Sequence, residues 1–264
     1  MDLKLVGKRA VVTGSTAGIG LAIAADLARE GAEVVVNGRT AARVEAALAS
    51  LKRELPQARL LGVAADLSSA EGTDALIGKV ASADILVNNL GIFESKPFEQ
   101  IDDASWLRFF ETNVMSGVRL SRHYFPRMKE QGFGRILFIS SESAVQIPAE
   151  MIHYGMTKTA QLAVARGLAE LSAGTGVTVN SVLAGPTRSE GVATFVEGLA
   201  RQQGKDPAQV EEEFFRHVRP SSLLRRFAAP AEIAHLVAYL ASPLSSATNG
   251  SALRVDGGVV RSIL

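Results

Sequence analysis

The sequence contains no cysteine, and this absence excludes several kinds of chemistry. With no thiol in 264 residues, the chain can form neither a disulfide framework nor a thiolate nucleophile. It has only four histidines, none of them at metal-ligand spacing from another: His123, His153, His217 and His235. We therefore expect no zinc site and no other metal centre in this chain.

A charge excess and long apolar segments are also missing. The 28 basic and 27 acidic residues give a net charge of +1, so no basic surface favours nucleic acid and no charge run favours a membrane. No apolar segment approaches the roughly 18 residues of a membrane span, and the N-terminus lacks the apolar stretch of a signal peptide. We expect a soluble, cytoplasmic protein whose partner is a small molecule rather than a nucleic acid or a membrane.

Short apolar segments alternate with longer segments rich in Ala, Leu, Glu and Lys. Strands are predicted near 10–12, 33–36, 60–63, 85–87, 136–139, 177–182 and 252–255. Helices are predicted near 18–30, 41–54, 70–80, 103–131, 151–173 and 230–241. Strands that are apolar throughout suit a parallel sheet covered on both faces. The alternation predicts an α/β fold with a doubly wound, Rossmann-like, mostly parallel seven-stranded sheet in a single domain, 1–264.

One segment, 184–228, interrupts this alternation. It holds two polar helical stretches, near 190–203 and 207–217, between Gly185-Pro186 and Arg219-Pro220. An excursion late in an α/β sheet is a candidate lid over the site. A contact between subunits explains the same pattern equally well, and both interpretations stay open at this point.

A glycine-rich stretch, Thr13-Gly14-Ser15-Thr16-Ala17-Gly18-Ile19-Gly20, follows the first predicted strand and opens the first helix. Glycines at such a turn allow the backbone to approach a pyrophosphate, which the N-terminus of the helix then stabilises. The spacing differs from G-x-G-x-x-G, but the position after the first strand predicts a nucleotide site.

The end of the second strand carries the information on cofactor choice. An acidic residue there would hydrogen-bond the 2′-hydroxyl of NAD, whereas this chain has Asn37-Gly38-Arg39. A guanidinium suits the 2′-phosphate of NADP(H), which we therefore favour as the cofactor. The alternative, in which Arg39 is solvated and Asn37 binds an ordinary ribose, leaves NAD(H) possible.

Tyr154 and Lys158 lie four residues apart in the fifth long predicted helix, and they should share one face of it. An ammonium one turn away is expected to lower the pKa of the phenol from its ordinary value of about 10. Ser141, at the end of a predicted strand, could share a substrate carbonyl oxygen with that phenol. Together the three groups suit proton transfer that accompanies hydride transfer.

These residues and others resemble the short-chain dehydrogenase/reductase family over about residues 7–258. The motifs that carry the resemblance occur in the family's order: Thr13-Gly14-x-x-x-Gly18-Ile19-Gly20, Asp66-Leu67, Asn88-Asn89-x-Gly91, Asn113, Ser141, Tyr154-x-x-x-Lys158, Asn180-Ser181-Val182 with Gly185, and Asp256-Gly257-Gly258. Leu90, where the family usually has alanine, and Ala184-Gly185-Pro186 depart from the pattern without removing a chemical group.

The resemblance implies roles for individual positions. The catalytic residues would be Asn113, Ser141, Tyr154 and Lys158, with Asn113 bending a helix and holding a water in a proton relay. The cofactor would be bound by Gly14, Ser15, Thr16, Gly18, Ile19, Gly20, Asp66, Leu67, Asn89, Gly91, Tyr154, Lys158, Thr187 and Ser189. Arg39 joins them because of its place after the second predicted strand. The resemblance also implies a homodimer or homotetramer.

We therefore expect an NAD(P)-dependent oxidoreductase that moves a hydride between NADP(H) and a carbonyl or secondary alcohol. An NAD-dependent polyol or sugar dehydrogenase is the alternative enzyme, and a catalytically silent nucleotide-binding regulator is the alternative of another class. Candidate walls of the substrate pocket are Phe93, Glu142, Ser143, Val145, Ile147, His153 and Arg188, while Trp106, His123 and His235 are interpreted as structural.

Overall fold

Within residues 1–263, which the computed structural model describes, seven strands form one parallel sheet. They are β1 (Arg9–Val12), β2 (Glu33–Gly38), β3 (Arg59–Ala64), β4 (Ile85–Asn88), β5 (Gly134–Ser141), β6 (Val177–Ala184) and β7 (Ala252–Val255). Their order across the sheet is β3-β2-β1-β4-β5-β6-β7, and every neighbouring pair is parallel. The strand order reverses between β1 and β4, where open α/β sheets bind their ligands at the carboxyl ends of the strands.

Helices cover both faces of this sheet. They are α1 (Gly18–Arg29), α2 (Ala41–Glu54), α3 (Ala70–Lys79), α4 (Asp103–Phe110), α5 (Ser116–Glu130), α6 (Ile152–Leu171), α7 (Glu190–Gln203), α8 (Pro207–Glu213) and α9 (Pro230–Ala241). In the described part of the chain, none of them combines the length and apolarity that crossing a bilayer requires.

The strands bury both of their faces, as their uniformly apolar sequences predicted. In β1, Ala10 and Val12 pack with α1, α2 and α9, whereas Val11 packs with α3, α5 and α6 on the opposite side. Each face therefore has its own apolar core. The doubly wound, Rossmann-like fold that the sequence predicted is confirmed.

The structure corrects one predicted helix, 103–131. It is divided into α4 and α5 by a π-helical turn, Glu111–Met115, in which the hydrogen-bond register is widened. Such turns inside α-helices are frequent at functional sites. Asn113 lies in the middle of this turn.

The segment 184–228 has a small apolar core of its own. Its buried members are Val196, Ala200, Val210, Phe215 and Phe227. A second π-helical turn, Phe214–Val218, follows α8 directly. The two ends of the segment are joined where Thr187 forms a parallel bridge with Ala228, so it folds as a compact unit beside the carboxyl ends of the strands.

Two glycines of α6 give opposite predictions for stability. Gly167 is exposed and an added Cβ would meet no atom within 4 Å, whereas a Cβ on Gly155 would lie 2.6 Å from Cγ2 of Ile147. Gly167→Ala should stabilise the protein by about 1 kcal/mol through helix propensity, which raises the thermal midpoint by about 2–4 °C. Gly155→Ala should destabilise it by about 1–3 kcal/mol through overpacking. Thermal unfolding of both variants checks this, and equal shifts would contradict it.

Candidate active site

The carboxyl ends of β4 and β5 bring together residues that are far apart in the sequence. Ser141 is the last residue of β5, and Gly91 lies in the loop that follows β4. A Cβ on Gly91 would lie 3.4 Å from Nζ of Lys158 and 3.5 Å from Oδ1 of Asn113. The four predicted catalytic residues thus come from a strand end, a π-helical turn and one helix that meet around this loop.

Lys158 is buried, and its ammonium donates to two neighbouring oxygens. Nζ donates to the carbonyl oxygen of Ile139 at 2.8 Å and to Oε1 of Gln161 at 3.3 Å. Gln161 in turn donates from Nε2 to the carbonyl oxygen of Asn113 at 2.6 Å. Burial lowers the pKa of Lys158 to about 8. The amine can therefore release a proton close to neutral pH.

The side chain of Asn113 connects the π-helical turn to the loop after β4 and to α6. Its Oδ1 accepts from the amide of Ile92 at 2.8 Å, and its Nδ2 donates to the carbonyl oxygen of Ile92 at 3.0 Å. Nδ2 also donates to Oγ1 of Thr157 at 3.0 Å, and that hydroxyl donates to the carbonyl oxygen of Tyr154 at 2.7 Å. The Asn113 side chain thereby connects the loop after β4 to the helix turn that carries Tyr154.

The expected effect of Lys158 on Tyr154 is wrong for this structure. The phenol is half-buried, and desolvation raises its pKa to about 12; Glu142 raises it further, while a hydrogen bond with Ser141 opposes the rise. Nζ of Lys158 lies 5.6 Å from the centroid of the phenol ring. Its hydrogen bonds go to Ile139 and Gln161 instead, so sharing a helix face does not bring the charge to the hydroxyl.

Ser141 is held by the residue that follows it. Its Oγ donates to Oε2 of Glu142 at 2.5 Å and accepts from the amide of Ser143 at 3.1 Å. Oγ of Ser143 donates to the same carboxylate oxygen at 2.6 Å. The other oxygen, Oε1, accepts from Nε of Arg219 at 2.9 Å. A buried carboxylate thus stands beside the predicted catalytic hydroxyl.

The glycine-rich loop has the features of an anion site. Gly14 and Gly18 have φ values of +60° and +56°, in the left-handed region that favours glycine. A Cβ on Gly20 would lie 2.4 Å from Nδ2 of Asn89, so only glycine permits this approach of helix to loop. The N-cap of α1, Ala17, offers no capping side chain, and the first turn contains no acidic residue. The backbone donors there fit the pyrophosphate of a dinucleotide.

Two residues of this region shape the loop from within. Ser15 is fully buried, and its hydroxyl donates to the carbonyl oxygen of Val12 at 2.7 Å. Asn37 is buried as well, donating from Nδ2 to the carbonyl oxygens of Val63 and Ala65, both at 3.1 Å, and accepting from the amide of Gly14 at 3.2 Å. The side chain of Asn37 is thus hydrogen-bonded within the fold on both its oxygen and its nitrogen.

Arg39 is exposed directly after β2. Among the residues that the structure describes, no carboxylate forms an ion pair with it, whereas Arg43 in the first turn of α2 pairs with Glu190 at 3.8 Å. A Cβ on Gly38 would lie 2.4 Å from Cγ2 of Thr16, so the loop and the strand end are adjacent. The end of β2 therefore presents cationic side chains.

The remaining predicted cofactor residues lie around the same edge of the sheet. Asp66 is exposed and its Oδ1 accepts from Ser68, whereas the Leu67 side chain is buried in the core, so only its backbone could meet a nucleotide. Thr187 donates to the carbonyl oxygen of Gly185 at 2.9 Å. Ser189 caps α7 and lies 3.3 Å from the Cβ position of Gly18, so the segment 184–228 begins against the glycine-rich loop.

The predicted pocket walls divide into two groups. Phe93, Val145 and Ile147 are exposed, and the ring of Phe93 lies 6.5 Å from that of Tyr154. His153 does not line a pocket: it is fully buried, with its ring centroid 4.0 Å from that of Phe109 and 5.9 Å from that of Trp106. One residue along the helix from Tyr154, its side chain turns into the apolar interior.

Arg188 is engaged within the segment 184–228. It pairs with Glu211, and its guanidinium lies 5.5 Å from the ring centroid of Phe227. Two further residues of the site were missed in the sequence. Gln161 could have been found, because it stands three residues after Lys158 on the same helix. Arg219 could not, because 77 positions separate it from Glu142 and no pattern links the two.

Several known proteins are similar to this chain over its whole length. A family model described as Enoyl-(Acyl carrier protein) reductase matches residues 14–260. The Uncharacterized oxidoreductase YvaG of Bacillus subtilis (strain 168) is 50% identical over 263 residues, covering 100% of both chains. The crystal structure of L-sorbose reductase from Gluconobacter frateurii, complexed with NADPH and L-sorbose, has a TM-score of 0.93 at 33% identity and covers 100% of both chains. A short chain dehydrogenase/reductase family protein has a TM-score of 0.83 at 36% identity and covers 98% of both.

The lowered pKa of Lys158 predicts how stability depends on pH. An unfolded lysine has a pKa of about 10.4, whereas the buried one has a pKa of about 8. Between these values the unfolded chain binds a proton that the folded protein has released, so the free energy of unfolding rises with pH. Relative to Lys158→Met, the wild-type protein should gain about 1–3 kcal/mol between pH 8 and pH 10.

Denaturant unfolding at several pH values measures this difference. Lys79→Met, which removes an exposed ammonium at the end of α3, is the control for the loss of one charge. A wild-type advantage over Lys158→Met that is the same at pH 8 and pH 10 would mean that the buried amine keeps its proton.

Proposed function

Because the chain belongs to the short-chain dehydrogenase/reductase family, we propose that this oxidoreductase is an NADPH-dependent reductase of ketones. The observation that carries the proposal is the convergence of Ser141, Tyr154, Lys158 and Asn113 around the loop after β4, beside a loop that fits a pyrophosphate. When bound there, the cofactor supplies the hydride. The protein supplies orientation and the proton.

In reduction, Tyr154 donates its proton to the substrate oxygen as negative charge develops on it. A pKa of about 12 keeps the phenol protonated at neutral pH, which is the form that a general acid requires. Ser141 hydrogen-bonds the same oxygen. Lys158 is the proposed source of the proton that the phenol recovers: its Nζ, held by Ile139 and Gln161, lies 5.6 Å from the centroid of the phenol ring.

The proposed choice of NADPH rests on the end of β2. Arg39 and Arg43 stand beside the turn that carries Thr16, and neither Asn37 nor Gly38 offers a carboxylate to a ribose hydroxyl. A guanidinium provides both charge and forked donors for a 2′-phosphate. A polyol or sugar dehydrogenase that uses NAD is the alternative, and a cofactor comparison distinguishes the two.

We propose hydroxylated ketones as the first substrate class to assay. This follows from the L-sorbose reductase of Gluconobacter frateurii, whose fold matches this chain over its whole length. A suitable panel contains L-sorbose, D-fructose, ethyl acetoacetate and 2-butanone, each assayed with NADPH and NADH. The exposed side chains of Phe93, Val145 and Ile147 near Tyr154 can also accept an apolar group, so the last two ketones test that preference.

Tyr154→Phe tests the assignment of the proton donor. Removing the hydroxyl should lower kcat on the fastest ketone of this panel by about 10²–10⁴-fold, while the Kd for NADPH, measured by fluorescence titration, stays within about twofold. Tyr124→Phe is the matched control, because Tyr124 is buried away from the site and donates to the carbonyl oxygen of Val80. Full activity in Tyr154→Phe would overturn the assignment, and an inactive wild type across both cofactors would favour the silent regulator.

Arg39→Ser tests the proposed recognition of the 2′-phosphate. Loss of a charge-assisted contact worth about 1.5–3 kcal/mol should raise the KM for NADPH by about 10- to 100-fold, with the KM for NADH unchanged. Arg53→Ser removes the same charge at the far, exposed end of α2 and should change neither constant. An equal effect on both cofactors would show that Arg39 does not contact the phosphate.

A further inference from the structure

We propose that Glu142 is a positioning residue, which sets the hydrogen-bonding direction of Ser141 and couples it, through Arg219, to the segment 184–228. The inference rests on the proposed function, because it takes Ser141 as a group that contacts the substrate oxygen. It adds to that function a residue whose action is indirect.

The carboxylate of Glu142 is surrounded by donors. Oε2 accepts from the hydroxyls of Ser141 and Ser143, and Oε1 accepts from Nε of Arg219. The side chains of Glu142 and Arg219 are only 5% and 12% exposed. An exposed carboxylate, Glu150, approaches Nη1 of the same guanidinium at 3.5 Å. The pair is thus buried on the Glu142 side and open to solvent on the Glu150 side.

Stability alone does not account for such a pair. Desolvating two charges costs several kcal/mol, and a well-packed apolar pair of similar volume often serves a fold equally well. One oxygen of this carboxylate is also committed to two serine hydroxyls, one of them the predicted catalytic group. The arrangement therefore favours a role in orienting Ser141.

A serine hydroxyl has a single proton to donate. In this structure Ser141 gives that proton to Glu142 and accepts from the amide of Ser143. The carboxylate thereby fixes the direction of the Ser141 hydroxyl and leaves it as an acceptor in its hydrogen bond with the phenol of Tyr154. An amide that donates at the position of Glu142 would turn the hydroxyl round, so Ser141 and the phenol would no longer be held in this arrangement.

Arg219 connects this choice to the segment 184–228. It directly follows the π-helical turn Phe214–Val218, and its guanidinium lies 5.9 Å from the ring centroid of Phe214. Phe214 packs against Phe215 and Phe227 in the small core of the segment. Displacing the segment would withdraw Arg219 from Oε1 of Glu142, so the position of the segment and the orientation of Ser141 are linked.

Glu142→Gln is the first test, because the volume is kept and the charge is removed. The amide can present its oxygen to Arg219 only by turning its donor towards the two serines. We expect kcat on the fastest ketone of the panel to fall by about 10- to 100-fold, the usual effect of misplacing a catalytic group, with the Kd for NADPH within about twofold. Arg219→Met should lower kcat and also raise KM, and Arg219→Lys should restore part of both.

A control variant alters the same surroundings without breaking the link. Glu150→Gln removes the exposed partner of Arg219. It should keep kcat and KM within about threefold, since Glu150 does not hold Ser141 to Glu142. A loss in this control as large as that in Glu142→Gln would show a merely structural effect and would overturn the proposal.

The double variant Glu142→Gln/Arg219→Met measures the coupling. If the two residues act as one unit, its kcat/KM should be no lower than that of the worse single variant; fully multiplicative losses would contradict the link. Hydrogen exchange provides a readout without substrate, and amides of 207–219 should exchange faster in Glu142→Gln than in Glu150→Gln. Equal exchange in these two variants would contradict the link between Glu142 and the segment 184–228.

The outcomes separate this inference from the proposed function. An active Tyr154→Phe variant would overturn the function, whatever Glu142 does. An inactive Tyr154→Phe variant together with a Glu142→Gln variant whose kcat and KM both stay within twofold of wild type would overturn the positioning role alone. If Glu142→Gln does not fold, Arg219→Met and its rescue by Arg219→Lys still test the positioning role. Arg219 extends from Glu142 to the exposed Glu150, so its replacement disturbs the core less.

Discussion

The burial of one ammonium group, that of Lys158, is the constraint around which the site is organised. A buried charge is tolerated only where oxygen atoms replace water, and here they come from two elements: the carbonyl of Ile139 in β5 and the side chain of Gln161 in α6. Gly91, in the loop after β4, lies beside the amine, with its Cβ position 3.4 Å from Nζ. The amine can therefore occupy this buried position only when β5 and α6 are folded around it.

The π-helical turn Glu111–Met115 belongs to the hydrogen bonding around Lys158. A continuous α-helix would satisfy the carbonyl of Asn113 internally, whereas Gln161 donates to that carbonyl at 2.6 Å. The side chain of Asn113 meanwhile satisfies both backbone groups of Ile92. The local loss of regular helix is thus offset by hydrogen bonds that fix the turn to its two neighbours, and the irregularity serves to connect Lys158 with the loop.

The sequence predicted those features that depend on local pattern. Uniformly apolar strands required a sheet covered on both faces, and the order of motifs placed Ser141, Tyr154 and Lys158 at one end of it. Features that depend on where a side chain points were not predictable. Helical spacing puts Lys158 on the same face as Tyr154, but it does not say that Nζ donates to the carbonyl oxygen of Ile139 and not to the phenol. Nor does periodicity reveal a change of helical register, or the pairing of Glu142 with Arg219, which only the path of the segment 184–228 brings about.

The two shifted pKa values have a consequence for the direction of the chemistry. Burial disfavours the charged form of any group. It therefore raises the pKa of the Tyr154 phenol, which is charged when deprotonated, to about 12. It lowers the pKa of the Lys158 ammonium, which is charged when protonated, to about 8. The ammonium is then the stronger acid of the two, so a proton that passes from Lys158 towards a phenolate at Tyr154 moves downhill. Reduction consumes the phenol's proton and needs this return, whereas oxidation must form the phenolate against a raised pKa. The desolvation that shapes the site therefore suits the return of the proton that the proposed ketone reduction requires.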